Sequence, residues 1–144
     1  MVLKNTQQLL SDDGEALFVS VYDSPYFYIY NEISKTQKWG NYMKDVKNMW
    51  PVYFFWPNLA ETYKSKANNV GLQVVSCEIR TMQHEYIPYL FWRSVNPYLQ
   101  RINNAKEQEK FVQELHETTM NFSEILPNYP LSWSKLLIVH LRKM

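Results

Sequence analysis

At 144 residues the length suits one domain, and a chain of this size buries roughly 68–70% of its unfolded surface. Fifteen basic residues nearly cancel fourteen acidic ones and no dense basic block stands out, which argues against a nucleic-acid partner or an anionic membrane surface. No run approaches the ~20 apolar residues of a membrane span, and "MVLKNTQQLL" lacks the apolar core of a signal peptide, so a soluble, cytoplasmic protein is expected.

In "LLSDDGEALFVSVYDSP" the leucines at 9 and 10 give way to polar residues and Gly14, which predicts the end of a helix, with the glycine in the left-handed region. Ala16 to Tyr22 follows as a strand, apolar enough to be covered on both faces. Ser24 and Pro25 then read as N-cap and first helical position, with Phe27, Tyr30, Ile33 and Gln37 at helical spacing. Trp39, Tyr42, Met43, Val46, Met49 and Trp50 predict a second, amphipathic helix with a wide aromatic stripe. Pro51 and Pro57 bracket "VYFFW", which is too short for a helix and too aromatic to lie in solvent.

Asn58 and Glu61 have the spacing of a capping box, Leu59, Tyr63 and Ala67 share a face, and Gly71 is the stop. "LQVVSCEIRTM" alternates Val75, Cys77 and Ile79 with Ser76, Glu78 and Arg80, as an edge strand does. Residues 86–95 predict an apolar helix opened by Pro88 and ended by Asn96 and Pro97. The last helix runs from about Asn104 to Met120, with Asn104 and Glu107 as a capping box and Phe111, Val112, Leu115 and Thr119 inward. "LLIVHL", 136–141, is an apolar strand covered on both faces.

Glycine occurs three times, at 14, 40 and 71, too far apart for a phosphate-cradling loop. His84 and Glu85 are followed by Pro88 where an HExxH motif needs its second histidine, and the segment around His116 also lacks one, so no metal site is expected. His140 reads as a hydrogen-bonded core residue. Cys77 reads as a small buried hydrophobe.

Five segments, taken in order, carry a resemblance: "LLSDDGEALFVSVYDSPYFYIY", "KWGNYMKDVKNMWPVYFFWPN", "GLQVVSCEIR", "WRSVNPYLQRI" and "LSWSKLLIVHLRK". Together they resemble the C-terminal half of a class I S-adenosylmethionine-dependent methyltransferase, and more narrowly the arthropod juvenile hormone acid methyltransferase-like group. The resemblance implies an α/β fold: the fifth, sixth and seventh strands of a Rossmann-like sheet with a helical lid insertion, residues 1–144 forming a partial domain. It places the last strand, antiparallel, between the fifth and sixth. It also implies that the cofactor-binding half is absent, so that S-adenosylmethionine does not bind this chain alone and the chain is inactive by itself.

What the resemblance leaves is the acceptor side, which in the family covers a small hydrophobic carboxylic acid. Trp92, Tyr53, Trp56, Tyr89 and Trp39 are the candidate pocket residues, with Trp50 and Tyr86 beside them; such stripes also serve as plain core. Arg93 and Arg80 are candidates to pair with a carboxylate, although arginines are so seldom buried that the simpler reading is of solvated surface residues. Without the other strands, Ala16 to Tyr22 has one unpaired edge and loses part of its cover, which implies self-association or pairing through that edge. The alternative is a non-catalytic protein that binds an apolar ligand or a partner with the same lid.

Overall fold

A computed structural model describes residues 2–83, 92–94 and 96–144. Helix α1, Val2–Leu9, leads into strand β1, Glu15–Asp23. The left-handed residue of this turn is Asp13, at φ 60°, and not Gly14. Glycine is needed at 14 for room: a Cβ there would lie 2.8 Å from the Ser11 carbonyl oxygen.

Helix α2, Pro25–Ser34, starts where Ser24 and Pro25 predict it. The expected second helix does not form. Residues 40–42 and 46–49 make two short 3₁₀ turns, and 52–55 make a third. Gly40, Asn41, Asp45 and Asn48 are poor helix formers, and Gly40 packs so tightly that a Cβ would lie 2.7 Å from the Ser34 carbonyl oxygen. Trp39, Met43 and Val46 of the stripe still turn inward and are buried, whereas Tyr42 is exposed.

Helix α3, Leu59–Asn68, buries Ala67, with Leu59 and Tyr63 packed beside it. Its capping box is not made: Asn58 sits at φ 50° in the left-handed region and its side chain caps nothing. Gly71, at φ 80°, is the stop the spacing predicts. Strand β2 is Leu72–Gln83; helices α4, Ala105–Met120, and α5, Phe122–Ile125, precede strand β3, Trp133–Lys143. The N-cap of α4 is formed, Asn104 Oδ1 accepting from the Lys106 and Glu107 amides at 2.8 and 3.2 Å. Phe111, Val112, Leu115 and Thr119 are its buried face, as their spacing predicts.

By contacts the chain divides into two compact units: Met1–Asp23, Pro51–Met82 and Lys135–Met144 form the first, Ser24–Trp50 and Gln83–Ser134 the second. In the first unit the three strands form an antiparallel sheet in the order β1-β3-β2. Glu15 pairs with Arg142, Phe18 with Val139 and Val21 with Leu136, and the ladder slips between Val21 and Asp23. The Met144 amide donates to the Gly71 carbonyl at 3.0 Å, closing the β3 to β2 end.

One face of this sheet carries Leu137, Val139 and Leu141, all buried, and packs with Ala67 and Leu72. The opposite face is open. Leu17, Val19 and Val21 are 65, 56 and 42% exposed, which corrects the expectation of a strand covered on both faces. Their cross-strand partners His140, Ile138 and Leu136 are half-buried on the same face, so β3 is not fully covered either. His140 is hydrogen-bonded but is no core residue: its Nε2 lies 2.9 Å from Glu15 Oε2 at a 30% exposed side chain. In β2 the inward residues are Leu72, Val74 and Cys77, while Val75 and Ile79 are exposed, so the expected alternation holds only at the cysteine.

The second unit is helical, and its core is continuous from Ile29, Tyr30 and Ile33 of α2 through Trp39, Met43 and Trp92 to Phe111 and Leu115 of α4.

Candidate functional site

Aromatic residues organise both units, and the candidate pocket residues divide between them. In the second unit α2 presents Tyr26, Tyr30 and Ile33 at spacings of four and three, which places them on one stripe. Trp92 meets that stripe edge-on, its ring centroid 5.3 Å from Tyr26 and 5.1 Å from Tyr30. Tyr98 completes the row, 5.3 Å from Tyr30. The Trp92 indole is fully buried, and its Nε1 donates to Thr119 Oγ1 at 3.0 Å; that hydroxyl in turn donates to the Leu115 carbonyl at 2.6 Å. Trp92 therefore shows this core an apolar face, its only polar atom being used on α4.

Trp39 is held in a similar way. Its Nε1 donates to Glu114 Oε2 at 2.6 Å, its ring lies 4.9 Å from Phe111, and Lys38 Nζ sits 4.1 Å above it while pairing with Glu114 at 3.2 Å. In the first unit the Tyr53 hydroxyl donates to the Val21 carbonyl at 2.8 Å, and its ring stacks on Tyr22 at 6.4 Å. Trp56 lies 6.3 Å from Tyr53 and 5.9 Å from Tyr63, half-buried under Lys66. Trp92 and Trp39 thus share one core, while Tyr53 packs on the other and Trp56 lies against its rings. Tyr89 lies outside the described residues, as do Tyr86, His84, Glu85 and Pro88.

The two candidate arginines are exposed and paired: Arg80 with Glu78 at 2.7 Å, Arg93 with Glu109 at 3.3 Å. A third arginine is better held. Arg101 forks onto Asp45 at 2.6 and 2.8 Å, donates to the Tyr42 carbonyl at 2.9 Å, and lies 4.8 Å over the Tyr98 ring. The guanidinium holds the Asp45 carboxyl below its ordinary range.

Two polar groups at this core have no use inside it. The Tyr30 hydroxyl and the Asn96 Nδ2 are buried and have no hydrogen-bond partner among the described residues. The Asn96 Oδ1 is engaged, accepting the Tyr98 amide at 3.0 Å. Burial, with a smaller push from Tyr98, raises the Tyr30 phenol well above its ordinary range. Sequence reading placed Tyr30 on a helical face and Asn96 at a helix end. The signal it passed over is that a tyrosine at a core position brings a hydroxyl that needs a partner.

An opening in the same unit, about 880 Å³, runs along Glu32, Ile33, Thr36, Glu114, Glu117 and Glu124. Its carboxylates are unsuited to an acid, and Lys35 and Lys38 already pair with two of them. Among the described residues no group of three His, Cys, Asp or Glu side chains could hold a metal ion, and no helix is long and apolar enough to cross a membrane. No model of a known protein family matches the sequence, and no curated protein matches it.

Proposed function

We propose that this chain is the acceptor side of an S-adenosylmethionine-dependent methyltransferase and holds a small hydrophobic carboxylic acid. The sheet order carries the reading: the final strand enters antiparallel between the two earlier ones, as the resemblance implies for a Rossmann-like methyltransferase sheet. The aromatic core around Trp92 supports it from the ligand side, since a chain of ring faces and edges suits an apolar tail.

The cofactor does not fit the described residues. A methyl donor needs a glycine-rich backbone cradle, whereas Gly14 is pressed against the Ser11 carbonyl, Gly40 against the Ser34 carbonyl at the end of α2, and Gly71 serves as a helix stop. This chain's contribution would be to bind and orient the acid, because methyl transfer depends on holding acceptor and donor in line. That misfit, together with the open face of β1, favours one second reading: a non-catalytic binder of an apolar ligand or a partner.

Titration of the purified chain separates these. Dodecanoic acid is expected to quench tryptophan fluorescence saturably, and S-adenosylmethionine to release no heat in calorimetry. Micromolar binding of S-adenosylmethionine, about −8 kcal/mol, would place a cofactor site in this chain and remove the half-domain reading. Absence of saturable acid binding would remove the acceptor-side reading.

A further inference from the structure

We infer that Tyr30 and Asn96 form a carboxyl-binding subsite, in which the phenol hydroxyl and the carboxamide Nδ2 donate to the oxygens of an apolar acid; this rests on the acceptor-side reading above. Both residues are almost wholly buried, at 2 and 8% exposure, and both donors lack a partner among the described residues. An unpaired buried donor is expensive, costing more than the pair would gain on average, so two of them beside one residue require a reason. Both border Tyr98: Tyr30 through ring contact at 5.3 Å, Asn96 through the amide bond its Oδ1 accepts.

The chemistry of the donors selects the ligand. Tyrosine supplies one O–H and the carboxamide two N–H groups, while the Asn96 Oδ1 already accepts one bond from Tyr98. Donors therefore outnumber the acceptors left open, and a group rich in acceptors is the better match. A carboxylate accepts several hydrogen bonds from such a set. The neighbouring rings are apolar towards it, since Trp92 and Tyr26 meet edge to face and the Trp92 N–H is tied to Thr119. Arg101, which lies over the Tyr98 ring, is engaged by Asp45, so the subsite recognises by directed donors and not by that charge.

Tyr30→Phe keeps the ring and deletes the donor. Because the hydroxyl bonds nothing in the free protein, the variant is expected to melt at the wild-type temperature or above it. Its affinity for dodecanoic acid, read from tryptophan quenching, should fall about tenfold or more, the usual worth of a hydrogen bond to a charged group. Asn96→Asp keeps the acceptor for Tyr98 and turns the donor into a carboxylate; it should weaken dodecanoic acid further and bind dodecylamine more tightly than the wild type does. Wild-type affinity for the acid in both variants overturns the subsite while leaving the acceptor-side reading in place. A lower melting temperature for Tyr30→Phe without ligand also overturns it, since the hydroxyl would then have a structural partner such as water. If the wild-type chain shows no saturable quenching, the subsite and the reading beneath it fall together.

Discussion

The two units solve the same problem with opposite results. The sheet unit buries Leu137, Val139 and Leu141 on one face and leaves Leu17, Val19 and Val21 in the open on the other. The helical unit closes around its aromatics, so that Trp39, Trp92 and Phe111 are buried, and the groups it leaves unmatched are polar ones inside. A sheet has two faces and needs a layer on each, whereas helices expose one stripe apiece and can close on one another. A sheet covered on one face therefore shows its deficit as apolar surface. A helical core shows one as an unpaired donor.

The contrast is sharpest in truncation. Trp92→Ala should destabilise by about 3–5 kcal/mol, the cost of emptying a large aromatic site, measured by urea unfolding; a loss under ~1 kcal/mol would mean that the core collapses readily around Trp92. Asn104→Ala removes the side-chain cap of α4 and should cost about 1 kcal/mol. The same denaturation curves check it.

Titration separates the units by sign. Glu15 accepts from Arg142 at 2.8 Å and faces His140, contacts that hold its pKa below the ordinary 4.5. A depressed carboxyl stabilises the fold above its unfolded value, and that contribution disappears as the pH falls through the folded one. Glu15→Gln should flatten the acid limb of stability below about pH 4.5. Tyr30 runs the other way: burial raises its pKa, so its contribution is present below pH ~10 and is lost as the pH rises beyond. Tyr30→Phe should flatten the alkaline limb, and an unchanged alkaline profile would mean the phenol is more solvated than its burial indicates.

The smallest effect on stability falls on the open face. Val19→Lys should change it by no more than about 0.5 kcal/mol, yet it adds a charge to an unpaired apolar edge strand, a common natural device against association. Sedimentation should find the wild type self-associating and the variant less so. A wild type that is monomeric at all concentrations would show that this face needs no cover.

Much of this was legible locally. The strand over Ala16 to Tyr22, which lies within the observed Glu15–Asp23, a helix opened by Ser24 and Pro25, and an inward face of Phe111, Val112, Leu115 and Thr119 follow from period, capping and backbone chemistry, which act over a few residues. Local signals failed where a neighbour set the geometry. Residues 39–50 have a helical stripe, but the close approach of Gly40 to Ser34 and a run of weak formers made turns of them. Asn58 has the spacing of a capping residue, yet its left-handed backbone leaves its side chain capping nothing.

The candidate site divides along the same line. Sequence alone determined that Trp39, Tyr53, Trp56 and Trp92 are large apolar groups in half-apolar segments. Only tertiary structure decided that Trp39 and Trp92 spend their N–H groups on Glu114 and Thr119 of α4, 75 and 27 residues away, and that Tyr53 spends its hydroxyl on Val21. It also decided which face of β1 stays open, because a run such as "ALFVSVY" is apolar at both phases of a two-residue period. Burial is a property of what the rest of the chain lays against a residue, and hydrogen-bond satisfaction depends on the few ångströms between groups far apart in sequence. For that reason the unpaired donors of Tyr30 and Asn96 came into view only in the folded core.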